Sequence, residues 1–363
     1  MASPDCRLIL VEGLPGSGKS TTAQYVYDQV RRNGGRARWY YEDETPHPVA
    51  ATKGVQRPRG FKEFSQAALA RWRDLVSRTR RSGETAIIDA HFFQDTIIAL
   101  LRANVKRALI ADHIRAVAEI CQPLQPSLVY LHQPEYAAAL RRLLDQRGER
   151  IEQLYIHRND HSRYAQRRNL SGFDGLVHFY LDMRAMMEQL VEGLDMPSLS
   201  IDCTDRDWPA YYGKAGEFLA LSPQTAEVPS GDRYLSQYAG TYTYRADRSP
   251  RRVAGRWQVG GTDWRRRVGG QAQPAAMHYG EDVEFHVRLE SGELVLHEYG
   301  WLWPVNRLVP KEEDVFYIAG WPFTMDFERD PSGAVVGARQ VNLAGRWLAT
   351  GQRYPRVAEG PPD

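Results

Sequence analysis

The chain opens with an apolar run, Arg7 to Glu12 (RLILVE), that breaks at a glycine-rich turn and is followed from about Lys19 to Arg32 by apolar positions at helical spacing. This pattern reads as strand, loop and helix in succession. Further apolar runs stand at Ala37 to Tyr41, Thr85 to Asp89, Ser127 to Leu131 and Ser198 to Asp202, each separated from the next by enough chain for one or more helices. Between them, Phe61 to Arg81 sets Phe64, Ala68, Trp72, Leu75 and Val76 at helical intervals, and Arg107 to Cys121 and Glu135 to Gln146 carry similar stripes. Strands alternating with helices predict an α/β fold with a parallel sheet flanked by helices, and the stripes read as its core.

The pattern changes at Leu221 to Asp232 (LSPQTAEVPSGD), a Ser, Pro and Gly-rich stretch without helical period. It divides the chain into a domain at 1–222, a linker at 223–233 and a second domain at 234–357. The second domain shows short alternating segments: Gly240 to Tyr244, Arg256 to Val259, Val283 to Leu289, Glu293 to Glu298, Val315 to Ile318, Phe323 to Arg329 and Val335 to Val341. Short strands at this spacing predict an antiparallel β-barrel or sandwich, with Trp257, Trp264, Trp301, Trp303 and Trp321 largely in its core. The closing AEGPPD is expected to be disordered.

Composition narrows the choice little. The 363 residues are 42% hydrophobic and 25% charged, as in ordinary globular proteins, and 47 basic against 45 acidic side chains leave a net charge of +2. No overall field draws the chain to nucleic acid or to an anionic membrane, so neither is expected as a partner. Cys6, Cys121 and Cys203 lie far apart, which favours neither a disulfide framework nor a zinc site. A start without a signal-peptide pattern and the lack of a spanning apolar run make the expected location cytoplasmic.

The chemistry is concentrated in residues 13–21, GLPGSGKST, which satisfy GxxxxGK[ST] with Gly13, Gly18, Lys19 and Ser20 directly after a strand pattern and at a helix start. Glycines let such a loop curl so that successive backbone N–H groups face inward, and the helix N-terminus adds partial positive charge. The cradle is therefore assigned to Gly13, Pro15, Gly16, Ser17, Gly18, Lys19, Ser20 and Thr21, with Lys19 reaching the β- and γ-phosphates and Ser20 ligating Mg²⁺. ATP and Mg²⁺ are the expected cofactors. About 200 residues separate the loop from the boundary, without an NKxD-type guanine reader, and a small-molecule kinase fits this layout better than a motor or a switch.

With GLPGSGKST, IIDAHFFQ at 87–94 and RGERIE at 147–152, the first domain resembles the P-loop nucleoside and nucleotide kinase superfamily, in the thymidylate-kinase and deoxynucleoside-kinase direction. It is similar to bacterial P-loop proteins that share EGLPGSGKSTTAQ, an acidic segment ending in HP, and FFQ after a strand ending in an acid. The resemblance covers roughly residues 5 to 220. It implies that Asp89, at a strand end, holds the Mg²⁺ shell or the substrate; such kinases usually continue with Arg, where Ala90 and His91 stand here. It further implies a general base among Glu42, Asp43 and Glu44, ranked Glu42 then Glu44, and a phosphate-closing lid in Arg147 and Arg150. Solvated surface roles are the competing reading for the acidic run and for the arginines.

His91 and Gln94 directly follow Asp89 and would face the cleft beyond the strand ends, which makes them candidate substrate contacts. The turn from Cys203 to Asp207, where these kinases cradle adenine, carries no diagnostic side chain. The segment YLSQYAGTYTY resembles small lipocalin-like barrel modules, for which substrate selection, a cover for the cleft or homodimer contact is expected. The resulting expectation is an ATP-dependent phosphotransferase acting on a hydroxyl of a metabolite, nucleoside or antibiotic. The alternatives are a nucleotide-dependent regulatory protein without an acceptor and a zeta-toxin-like kinase of nucleotide sugars.

Overall fold

The computed structural model describes residues 5–44, 47–50, 60–229, 231–244, 251–253, 256–258, 282–299, 304–343 and 352–357. The chain divides into two compact units, Met1–Gln224 and Thr225–Asp363.

The first unit contains β1 (Leu8–Gly13), α1 (Lys19–Arg32), β2 (Ala37–Tyr40), α2 (Phe61–Ser82), β3 (Thr85–Asp89), α3 (Gln94–Arg102), α4 (Arg107–Cys121), β4 (Ser127–His132), α5 (Tyr136–Arg147), α6 (Glu149–Asp160), α7 (Arg163–Gln166), α8 (Gly172–Gly193), β5 (Ser198–Asp202) and α9 (Trp208–Phe218). Its sheet is parallel throughout, in the order β2-β3-β1-β4-β5. β1 is central, and Leu8, Ile9, Leu10 and Val11 are all buried. A strand covered on both faces must be apolar at every position, which is why its sequence runs without alternation. Register pairs Val11 with Asp89 and Gly13 with Leu131, so the carboxyl ends of β1, β3 and β4 finish at one level. Beyond such ends, at the crevice where successive connections diverge, open α/β sheets place their ligands.

Helix stripes cover the sheet as their periodicity predicts. α1 buries Ala23, Val26, Tyr27 and Val30, and α4 buries Ile110, Ile114, Val117 and Cys121. α2 buries Phe64, Ala68, Trp72, Leu75 and Val76, with Trp72 meeting Phe92 edge-on at 6.2 Å between ring centroids. That contact fixes the turn after β3 from the helix side. α9 packs on α1 through the stacked rings of Tyr25 and Tyr212, 4.2 Å apart.

The second unit begins with α10 (Asp232–Leu235) and contains β6 (Gly240–Tyr244), β7 (Arg251–Val253), β8 (Arg256–Gln258), β9 (Val283–Glu290), β10 (Glu293–His297), β11 (Val305–Glu312), β12 (Val315–Ile318), β13 (Phe323–Arg329), β14 (Val335–Asn342) and β15 (Gln352–Pro355). β7 and β8 form a separate pair. The other eight make an antiparallel sheet in the order β15-β14-β13-β12-β11-β10-β9-β6. It curls into a nearly closed barrel, because Tyr242 bridges Arg356 and the Val357 N–H donates to Thr241 O at 2.8 Å. The interior is aromatic: Tyr242 stacks on Phe285, and Phe285 meets Tyr299 and Tyr354 edge-on. Arg329 grips Asp314 through Nε at 3.0 and 2.9 Å, and the Tyr238 hydroxyl donates to Asp314 at 2.7 Å.

β11 and β15 are not evident from pattern alone. β11 contains Pro310, which interrupts a strand signature, and the structure accommodates it at a register shift between Pro310 and Glu312. Trp321 is buried as expected. Trp264, Trp301, Trp303, the side chain of Trp257 and the terminal AEGPPD lie outside the described residues. Among the described residues, no helix is long and apolar enough to cross a membrane.

Trp72→Ala removes a fully buried ring from between α2 and the turn after β3. It is expected to lower unfolding free energy by about 3–5 kcal/mol, read from urea unfolding of the full chain; a loss below about 1 kcal/mol would contradict this packing role.

Candidate active site

The loop between β1 and α1 owes its curl to three glycines in conformations that side chains resist: Gly13 at φ 153°, Gly16 at 83° and Gly18 at 89°. At Gly18 the constraint is also steric, since a Cβ there would lie 2.2 Å from the Trp208 ring. The Ser17 N–H donates to Leu14 O at 3.1 Å, and the nearly buried Lys19 folds back so that Nζ donates to Leu14 O at 3.2 Å. No side chain caps α1. Its first-turn N–H groups, at Lys19, Ser20 and Thr21, therefore take no bond from a capping side chain. From outside, the Tyr136 hydroxyl at the start of α5 donates to Pro15 O at 3.1 Å and pins the loop.

Glu12, immediately before the loop, has no exposure. Its Oε1 accepts the N–H groups of Phe92 and Phe93 at 2.7 and 2.9 Å, and its Oε2 accepts that of Gln94 at 3.1 Å. The carboxylate therefore caps α3 from a neighbouring strand. Burial pushes its pKa up to about 7 against the lowering effects of these three bonds and of Lys19. The turn it holds begins with Ala90 at φ 64°, a left-handed conformation that costs about 1–2 kcal/mol in a non-glycine residue. Two bonds keep it there: the Ala90 N–H donates to Val11 O at 3.1 Å, and Ala90 O accepts the Asp95 N–H at 2.8 Å.

Asp89 ends β3 beside this turn with no exposure, and both carboxylate oxygens lack a hydrogen bond of good geometry among the described residues. Burial first, and then the Glu42 carboxylate, raise its pKa well above the usual range; Lys19 and the nearby Ser20 hydroxyl act in the opposite sense. β3 and the glycine-rich loop thus bring Asp89, Lys19 and Ser20 together.

The remaining candidates separate. Glu42 belongs to the same group, for Gln94 Nε2 donates to its Oε2 at 3.3 Å and His91 Nε2 lies 2.8 Å from its carbonyl oxygen. His91 also stacks on His47, with centroids 3.7 Å apart, and its Nδ1 lies 3.4 Å from Asp95. It serves as a strut between the segment after β2 and the turn after β3. Glu44 instead points to Arg38, 2.5 Å away, on edge strand β2, and its pKa is pushed up to about 7 mainly by burial. Arg147 is half-buried and donates to the Tyr155 hydroxyl at 2.7 Å, and its charge is felt at Tyr41, Tyr136 and Tyr180. Arg150 is exposed on α6.

Three contributors were not evident from the motifs. Glu12 had a signal, an acid inside an otherwise apolar strand. Trp208 lies one residue beyond the turn that showed no diagnostic side chain, and Tyr136 sits at a helix start far along the chain.

Comparison with protein-family models finds none that matches, and comparison with curated proteins finds no match. Among solved structures, a candidate kinase from Chloroflexus aurantiacus is similar at 15% identity and a TM-score of 0.31, over 59% of this chain and 99% of that one. At that score the likeness decides neither fold nor chemistry.

The carboxyl of Glu12 protonates at about pH 7 when folded and near 4.5 when unfolded, so the native state binds more protons between these values. Its stabilising contribution is full below about pH 4.5, declines as pH rises and is lost above about 7. Glu12→Gln cannot ionise. The urea midpoint of the wild type is therefore expected to fall relative to that of the variant across this range, and parallel profiles would refute the assignment.

Proposed function

We propose that the first unit is an ATP- and Mg²⁺-dependent phosphotransferase that moves the γ-phosphoryl group to a hydroxyl of a small molecule. The observation that carries this reading is Asp89, a buried carboxylate with neither oxygen in a well-formed hydrogen bond among the described residues, beside Ser20 and Lys19. A carboxylate buried this deeply beside a second acid, Glu42, is costly even with Lys19 and Ser20 near, and a bound cation would offset that cost. The donor set fits magnesium, which is commonly held by one or two protein oxygens with substrate phosphates and water completing its shell. Among the described residues no group of three or more His, Cys, Asp or Glu forms a metal cage. Ser20 and Asp89 would hold the ion, which supplies charge neutralisation to the β- and γ-phosphates.

The chain's own residues do the rest. Backbone N–H groups of Gly16, Gly18, Lys19, Ser20 and Thr21 orient the triphosphate, and Lys19 exchanges its bond to Leu14 O for a phosphate oxygen. Arg147 neutralises charge at the transferring group. The acceptor oxygen forms a bond to the γ-phosphorus while the bond to the β,γ-bridging oxygen breaks and its electron pair leaves with ADP. Glu42 takes the acceptor proton, oriented through Gln94; Glu44, paired with Arg38, is the weaker candidate.

With radiolabelled ATP and pooled metabolite acceptors, Lys19→Ala and Asp89→Asn are each expected to lower label transfer by roughly a hundred- to thousandfold. Glu42→Gln is expected to lower kcat by about a hundredfold or more with nucleotide affinity kept. Full transfer in Lys19→Ala would sink the assignment.

A further inference from the structure

After β2 the chain makes a tight turn: the Glu44 N–H donates to Tyr41 O at 2.9 Å, with Glu42 and Asp43 at the two central positions. Such a turn satisfies the carbonyl of its first residue internally, while the carbonyl of its second residue takes a partner from elsewhere. Here that partner is His91, whose Nε2 lies 2.8 Å from Glu42 O. A carbonyl oxygen only accepts, so Nε2 carries a proton, which the neutral and the charged ring can both supply.

His91 is placed to hold that carbonyl rather than to meet a solute, since it is only 4% exposed. Its ring lies on that of buried His47, with 3.7 Å between centroids and 26° between planes, and the Val49 N–H donates to His47 Nδ1 at 3.3 Å. Its backbone is fixed by the Thr96 hydroxyl, which donates to His91 O at 2.9 Å. The residues on either side are held as well, Ala90 by its bond to Val11 O and Phe92, Phe93 and Gln94 by Glu12. Glu42 is thus tied twice to the turn that follows Asp89, by its backbone through His91 and by its carboxylate through Gln94 Nε2 at 3.3 Å. The second bond is at the long end for N–H···O, and the first is short. Loss of the first would leave the weaker one alone to aim the carboxylate.

We propose that His91 is a positioning residue for Glu42: its Nε2–H holds the backbone of the general base at a fixed place relative to Asp89, without touching the acceptor. This rests on the phosphotransferase reading above and gives the ring a part in it. The order of residues after Asp89 suggests a substrate contact for His91; the geometry gives it to the base instead.

The test combines a ring signal with a mutant cycle in the full-length protein. In proton NMR with isotope-labelled histidine, wild type is expected to show an Nε2–H resonance protected from exchange with water and lost in His91→Phe. The rate of label transfer is then measured with radiolabelled ATP and the acceptor that wild type labels from a metabolite pool. His91→Phe keeps a ring against His47 but has no donor, and is expected to lower kcat about tenfold or more with affinity for a non-hydrolysable ATP analogue unchanged. His91→Gln returns an N–H near the Nε2 position and should recover most of the rate. Because the ring acts through Glu42, adding His91→Phe to Glu42→Gln should cost less than about twofold further. His91→Leu replaces the Phe variant if circular dichroism shows that the latter has lost its fold. Absence of the protected ring proton, an unchanged kcat in the variant, or losses that multiply in the double variant overturn the proposal. So does a rise in acceptor KM with kcat kept, which would mark a substrate contact. A wild type that transfers label to no acceptor would instead refute the phosphotransferase reading itself.

Discussion

One carboxylate, that of Glu12, ties the strand that delivers the glycine-rich loop to the turn that presents Asp89. Without it, β1 and β3 would still pair, but the three N–H groups opening α3 would face a buried environment with no acceptor. Leaving such donors unmet costs about 1–3 kcal/mol each, comparable with the strain held at Ala90. Because the same side chain sits directly before Gly13, a shift of the α3 N-terminus would be transmitted to the loop. The relative placement of Lys19, Ser20 and Asp89 thus depends on a residue that touches no phosphate.

The framework was largely readable in the sequence because both periods were clean. The continuous run in β1 and the stripe of Phe64, Ala68, Trp72, Leu75 and Val76 in α2 each reflect a single burial requirement. The curl of the glycine-rich loop after β1 was legible for a different reason, since its glycines are contiguous and their backbone demands are local. What stayed hidden depends on meetings between distant segments. Glu12 takes its meaning from N–H groups about eighty residues away, and Trp208 from the Cα of Gly18. Glu44 and Glu42 look alike in the run EDE, yet one turns to Arg38 and the other to Gln94. Period and motif carry no information about such a divergence.

α3 joins the turn after β3 to the aromatic layer on α8. Its first residue, Gln94, donates its backbone N–H to Glu12 and its side-chain amide to Glu42, while its last, Arg102, lies over the Phe179 ring of α8. At 1.5 Å per residue the helix spans roughly 12 Å between them. The partial negative charge at the helix C-terminus also falls beside Arg102 and helps retain a half-buried cation.

The way the barrel closes bears on how the chain is made. The first unit is complete by Gln224, and its strands pair with neighbours that emerge within the same stretch. β6, in contrast, finds β9 on one side and must wait for residues 356 and 357 on the other. During synthesis from the N-terminus, the first unit can fold on the ribosome while β6 still presents an unpaired edge, the kind of edge that recruits foreign strands. Ring closure between segments so distant in sequence carries a large entropy cost and is a slow step. Maturation of this protein is accordingly staggered, with its vulnerable interval confined to the second unit.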